Sequence, residues 1–485
     1  MLFHSIDFAI FLPIIFFLYW FVVNKTINSQ NLLILVASYL FYGWWDWKFL
    51  FLILFSTLVD FLVGYKIYNE QKERRKKTLL WISIGVNIGL LGFFKYYNFF
   101  IENFIQAFSI LGIKSNLSTL QLILPVGISF YTFQSLSYTI DIYKGRLKPT
   151  TDFVAFAAFI SFFPQLVAGP IERASSLLPQ FYKKRTFDYS KAVDGLRQML
   201  WGLFKKVVIA DNCAQIANPI FENSTHLNGS TLVIGALFFT FQIYADFSGY
   251  SDIAIGCARL FNFNLRQNFA YPYFSRDFAE VWRRWHISLT TWFRDYLFIP
   301  IVRLWKKHKW VKIPVIIFQF MVIGFWHGAN WTFIAWGLIQ AAYFMPTVLR
   351  KNKKSNTSVI AQGSMFPSLV ETAKMMRVFF LIVLSMIFFR ATSINHAFNY
   401  IKDIFSFSIF ESPIITATTK IEFIITLVLI GFFFIMEWIG RENQYAIEKF
   451  GLGWKRSFRL LFYYSIIALI FCFNGISQEY IYFQF

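Results

Sequence analysis

The chain has 485 residues, of which 57% are hydrophobic, 21% aromatic and only 15% charged, where soluble domains carry about a quarter charged residues. A soluble core cannot absorb that much apolar surface, so lipid is the solvent this composition requires. The formal net charge of +20 does not point to nucleic acid, because no basic recognition module stands apart; the cations gather in short loops between apolar runs, where anionic lipid head groups are their default partners.

The first apolar run, residues 8–23, follows an acidic start at Asp7 and has no small-residue cleavage site, so it is expected to be a retained helix rather than a signal peptide. Further runs at 31–46, 49–65, 78–98, 121–140, 231–247, 331–349, 375–389, 421–438 and 457–474 are predicted to span, since about 20 residues of helix at about 1.5 Å each cross a hydrocarbon layer of about 30 Å. Two segments are ambiguous: 152–168, cut by Pro164 and Pro170, and 191–210, which carries Lys191, Arg197, Lys205 and Lys206. One is expected to span while the other lies flat or re-enters. The predicted class is an all-α polytopic membrane protein with about ten to twelve transmembrane helices plus re-entrant or interfacial ones.

No internal repeat is evident, and the chain reads as one membrane domain with N-terminal helices over 1–112, a motif-bearing core over 121–349 and C-terminal helices over 375–485. The polar stretch 351–368 reads as a cytoplasmic loop. Orientation follows from the densest basic loop, 66–77, with Lys66, Lys72, Arg74, Arg75, Lys76 and Lys77, which is expected in the cytoplasm. Counting back three spans places the N-terminus outside. The basic loops 303–312, 350–354 and 441–459 fit the same threading, which leaves residues 480–485 outside as well. A bacterial inner membrane is the expected address.

Ionisable and polar residues that interrupt apolar sequence are the informative ones, and four segments hold them: 125–134, 242–252, 282–290 and 325–331. The last has the sharpest geometry. From Lys312 to Phe325 the helix has only about 13 residues, about 20 Å of rise, which falls short of crossing. The next run returns to Arg350 and Lys351, and Gly328 permits a break. His327 is therefore expected at the tip of a hairpin inside the membrane, where irregular backbone is tolerated only against protein or a water-filled cavity. The plain alternative is an imidazole that bonds a carbonyl and packs between Trp326 and Trp331; a break inside the membrane favours a working base instead. Asn330 and the amides around Gly328 are candidates to hold a developing oxyanion.

Residues 282–300 mix Arg283, Arg284, His286, Arg294 and Asp295 with Trp282, Trp285, Trp292 and Tyr296. The pattern reads as an interfacial or re-entrant segment, with aromatics at head-group level and arginines placed to bind the phosphates of an anionic donor. An amphipathic helix snorkelling at the surface is the plain alternative. Trp285 and Trp326 are candidate substrate contacts. Asp246 and Asp252 are expected to pair with those arginines as structural buttresses, in a polar network that includes Asp295. His4, His226, His308 and His396 sit in polar loops and read as solvated. Cys213, Cys257 and Cys472 read as core residues, and no His or Cys spacing gives a metal site.

At 125–134, 169–173 (Gly-Pro-Ile-Glu-Arg), 246–256, 285–296, 326–328 and 481–485 the sequence resembles the membrane-bound O-acyltransferases, in particular the bacterial branch of alginate O-acetylation and teichoic acid D-alanylation. The resemblance implies helices enclosing a tunnel or funnel, with the family's catalytic histidine at His327. It implies a second family position at His286, which is often Asn in the wider family. It also implies acetyl-CoA as donor substrate with no permanently bound cofactor. The acetyl group would pass to a periplasmic esterase-like partner of the SGNH type, working with the polysaccharide biosynthesis machinery on an alginate-like exopolysaccharide. Acetylation of peptidoglycan, or D-alanyl-type transfer to a cell-wall polymer, stays open, as does direct transfer to a lipid or protein. From the residues alone, a transporter or flippase with polar residues on broken helices is the rival of another class.

Overall fold

In the computed structural model of the chain, residues 1–110, 112, 117–305, 309–349, 356, 358–415, 418–473, 480 and 481 are described. His308, the basic loop 350–354, most of the ending 481–485 and parts of the loops 303–312 and 351–368 lie outside them. Every regular element among the described residues is a helix. Six are long and apolar enough to cross a membrane by length and composition: Phe49–Asn69, Glu73–Ile110, Gly229–Leu260, Trp331–Leu349, Leu369–Arg390 and Lys420–Ile439. Ile6–Val22 and Lys312–His327 are shorter apolar helices, and the predicted runs at 31–46 and 457–474 fold as helices Ile27–Gly43 and Arg456–Cys472. Helix Lys420–Ile439 exposes Ile421, Val428 and Ile435, seven residues apart, a stripe suited to lipid.

Some boundaries differ from the sequence expectation for identifiable reasons. The run 121–140 becomes helical only at Ile128, because Gly127 adopts φ 75° as its N-cap and a Cβ there would meet the Leu166 carbonyl oxygen at 2.4 Å. The run 231–247 continues to Leu260 as one helix of 32 residues: Asp246 and Asp252 are buried against lysine partners and do not end it. Segment 152–168 yields only the nine-residue helix Phe153–Ser161, N-capped by Asp152 and finished before Pro164. Segment 191–210 is helix throughout, Tyr189–Leu203 followed by a wider turn over Phe204–Ala210.

The chain forms two compact units, Met1–Gly195 with Cys257–Arg266, and Leu196–Gly256 with Gln267–Phe485. In the first, helix Phe49–Asn69 packs on Ile128–Tyr143 and Glu73–Leu91. The buried Asp60 carboxylate there accepts from Ser83 Oγ at 2.6 Å and Asn87 Nδ2 at 2.8 Å, so its charge is hydrogen-bonded, as burial demands. Glu172, in the 169–173 motif, accepts the backbone N–H of Arg266 at 2.5 Å.

The second unit contains the expected hairpin, helices Lys312–His327 and Trp331–Leu349 packed side by side. Their approach depends on two glycines: a Cβ on Gly324 would meet the Phe333 carbonyl oxygen at 2.2 Å, and one on Gly337 the Phe320 carbonyl oxygen at 2.3 Å. Small residues at such a crossing let two backbones touch. Cys213 and Cys257 are buried as expected, but Cys472 is exposed, because the outer face of an apolar helix needs no protein cover in lipid.

Candidate active site

His327 is the last residue of helix Lys312–His327, and the chain turns extended at Gly328 before helix Trp331–Leu349 begins. A Cβ on Gly328 would lie 2.1 Å from the Phe333 ring, so the tip is packed shut. The imidazole is 3% exposed. Its ring centroid lies 4.9 Å from that of Trp326, 5.3 Å from Trp336 and 5.2 Å from Phe389. The imidazole is thus packed on three sides by aromatic rings.

His286 approaches the same tryptophan, with ring centroids 5.9 Å apart, so Trp326 contacts both histidines. It is wholly buried and sits between helices Phe278–Arg284 and Ile287–Phe293 with φ 43°, a left-handed conformation that costs a non-glycine residue about 1–3 kcal/mol. That geometry is held from residue 268: the Asn268 carbonyl accepts the Ile287 N–H at 2.9 Å, and Asn268 Oδ1 lies 3.1 Å from His286 Nδ1. Burial pushes the His286 imidazole down to about 3, so it is neutral at any physiological pH.

Between these two histidine-bearing elements lies a cavity of about 320 Å³, lined by Ile287, Thr290 and Thr291 from one and by Ile316, Gln319 and Phe320 from the other. Arg283 and Arg294 also line it. Both are exposed; Arg283 donates to the Asn356 carbonyl at 2.9 Å and Arg294 to Asp295 at 2.7 Å. Arg284 is separated from that pair. It is held by Glu280 at 2.9 Å and by the Ala270 carbonyl at 3.1 Å, which makes it a strut of the fold.

Several expectations need correction. Asp246 and Asp252 pair with lysines, not arginines: Asp246 with Lys206 at 2.7 Å and Asp252 with Lys205 at 2.5 Å. Adjacent lysines on one helix thus meet two aspartates six residues apart on another. Lys206 also reaches Asp211 at 2.9 Å, and Gln198 donates to Asp252 at 2.7 Å. Asp295 binds its neighbour Arg294 instead of joining that buried network. Trp282, Trp285 and Trp292 are buried against protein; Trp285 stacks on Tyr273 and meets Phe269, so it packs the core. Asn330 caps helix Trp331–Leu349, accepting the Thr332 N–H and donating one of its two amide hydrogens to the Thr392 carbonyl. His396 is half-buried and bonded to Ser224 at 3.0 Å.

Sequence reasoning missed Asn268 and Glu437, and noted Lys205 without a role in the site. Glu437, inside an apolar helix, was the legible one; it is buried and accepts from Tyr244 at 2.6 Å. A small polar cavity touches Glu437, Lys205, Asp252, Ser251 and Asn268. It links the ion pairs to the residue that holds His286.

Residues 147–352, which contain both histidines and both arginines, match the family model of the membrane-bound O-acyltransferases. A probable alginate O-acetylase AlgI from Azotobacter vinelandii is 36% identical over 82% of this chain and 76% of its own length. The chain belongs to the membrane-bound O-acyltransferase family. It is accordingly a multi-pass membrane enzyme, an O-acyltransferase related to the O-acetylases. The peptidoglycan O-acetyltransferase of Helicobacter pylori is 39% identical over 68% of this chain and 67% of its own length. A teichoic acid D-alanyltransferase from Streptococcus thermophilus is 26% identical over 61% of this chain and 71% of its own. Membership in this family sets aside the transporter reading.

Proposed function

We propose that this acyltransferase takes acetyl from cytoplasmic acetyl-CoA and passes it across a bacterial inner membrane to a periplasmic SGNH-type esterase-like partner, which acetylates an alginate-like exopolysaccharide. The observation that carries this reading is the cavity between the helix that begins after His286 and the helix that ends at His327, with Arg283 and Arg294 along it. Guanidinium groups suit the phosphates of the donor, and the aromatic cage suits a neutral base.

In the proposed mechanism His327 removes the proton from the acceptor hydroxyl as its oxygen attacks the thioester carbonyl. The carbon–sulfur bond then breaks, and the imidazolium returns its proton to the departing thiolate. Donor and acceptor approach the hairpin tip from opposite faces, so the acyl group crosses while the nucleotide stays inside. Residues 66–77 lie in the cytoplasm in this arrangement, with both termini in the periplasm.

The similarity to a peptidoglycan O-acetyltransferase supports a second acceptor, the cell-wall glycan. Purified protein in liposomes given radiolabelled acetyl-CoA tests the chemistry: His327→Ala should lower acetyl transfer by about 10²- to 10⁴-fold, the contribution of a positioned base. Near wild-type transfer by an inserted His327→Ala protein would overturn the mechanism. Acetyl content of exopolysaccharide and of peptidoglycan in a deletion strain separates the two acceptors.

A further inference from the structure

The side chain of Asn268 has only one orientation that satisfies its neighbours. Ser288 donates to Asn268 Oδ1 twice, from its backbone N–H at 3.3 Å and from its hydroxyl at 2.8 Å. A backbone N–H cannot accept, so the atom it faces is the amide oxygen and not the nitrogen. The amino end accordingly donates to Ser251 Oγ, 3.2 Å away. Both side chains are buried, and the orientation rests on the Ser288 backbone N–H, which a flipped amide would meet donor to donor.

That assignment decides where the proton of His286 sits. Its Nδ1 is 3.1 Å from the same Asn268 oxygen, which carries no hydrogen, so Nδ1 must carry one. In a neutral imidazole the other nitrogen, Nε2, then holds the lone pair. The partner is an amide and not a carboxylate, so it fixes the tautomer without adding a charge that would favour the imidazolium. The rings of Phe247, Phe269 and Trp326 around it add none either.

We propose that Asn268 is a positioning residue that locks His286 as the neutral Nδ1–H tautomer, so that its Nε2 accepts a hydrogen bond from the reacting hydroxyl and aligns it for His327. The second half rests on the acyl-transfer reading above; the tautomer does not. On that reading His327 carries the proton, and His286 only receives a hydrogen bond. Burial that holds the His286 imidazole low agrees with it.

The test uses the full chain in lipid nanodiscs with ¹⁵N-labelled histidine, His286 being assigned by the signals lost in His286→Asn. The wild type should show a neutral imidazole protonated on Nδ1; an Nε2–H or doubly protonated ring at neutral pH overturns the proposal. Asn268→Leu should lower kcat by about tenfold, the loss of one orienting hydrogen bond, with the donor KM unchanged. Asn268→Asp keeps an acceptor at Nδ1 but adds charge, so it should retain more activity than Asn268→Leu and shift the acid limb of the pH profile upward. Wild-type kcat in Asn268→Leu, or an unmoved profile in Asn268→Asp, counts against the assignment. If Asn268→Leu fails to fold, the wild-type spectrum and Asn268→Asp still decide. Full transfer by His327→Ala would remove the acyl-transfer reading while leaving the tautomer to be read from the spectrum.

Discussion

Lys206 Nζ stands 2.7 Å from Asp246 Oδ1 with both side chains buried, while the backbone N–H of Ile481 donates to the other carboxylate oxygen at 2.9 Å. The pair therefore ties three stretches of chain distant in sequence to one another. Tyr480, beside Ile481, completes the cluster by packing on Tyr250 at 4.7 Å.

Removing one partner of such a pair leaves a buried charge uncompensated, at a cost of about 3–5 kcal/mol. Asp246→Ala should therefore lower the melting temperature of the purified protein sharply. Asp295→Ala, which breaks a pair with the largely exposed Arg294, should cost less than Asp246→Ala. Thermal unfolding followed side by side in one detergent checks the ranking, and equal losses would mean that the buried pair is not what holds the tail segment.

The three arginines of the sequence motif should separate by experiment. Arg283→Ala and Arg294→Ala are expected to raise the donor KM by about tenfold, the loss of one charge-assisted contact of about 1.5 kcal/mol. Arg284→Ala should instead reduce thermal stability with little change in KM, because its partners are Glu280 and the Ala270 carbonyl. Steady-state kinetics with each variant checks this, and a KM effect confined to Arg284 would reverse the assignment.

His286 gives a pH prediction with a definite sign. Its folded value of about 3 lies below the unfolded value of about 6.5, so between these limits the unfolded chain binds the extra proton. Stability from this group is full above about pH 6.5 and falls as the pH drops toward 3, by up to about 1.4 kcal/mol per pH unit. His286→Asn should flatten that stretch of the stability curve. Parallel acid-induced losses in wild type and variant would show that other groups dominate.

Gly328→Ala should disturb the hairpin tip, since the added methyl meets the buried Phe333 ring. Overpacking of this kind costs about 1–3 kcal/mol, and the displaced His327 should lose activity beyond what stability explains. Pairing it with Phe333→Leu should restore part of the rate, measured as acetyl transfer per folded molecule.

The hairpin and its histidine were legible because a run too short to cross, a glycine and a returning apolar run coincide in one short stretch around Gly328. The long polar-spotted helix Gly229–Leu260 was not, because its carboxylates read as interruptions until their lysine partners are seen. The ambiguity over 191–210 had the same origin: lysines argue against burial only while their counter-charges are unknown. The burial of the tryptophans around His286 was not legible either, since composition cannot tell an aromatic packed in a core from one left exposed. Asn268 carried no signal at all, having neither charge nor motif.

The lysine–aspartate pairs also bear on how the protein is made. Lys205 and Lys206 leave the ribosome ahead of Asp246 and Asp252, the carboxylates that pair with them. A helix carrying two adjacent unpaired ammonium groups is costly in hydrocarbon, and Asp211, close by, can relieve only part of that. The pairing of the two lysines is therefore complete only once helix Gly229–Leu260, which carries both carboxylates, has been made. A nascent chain stopped between the two helices would leave both ammonium groups without these carboxylates, and should be a preferred substrate for membrane quality control.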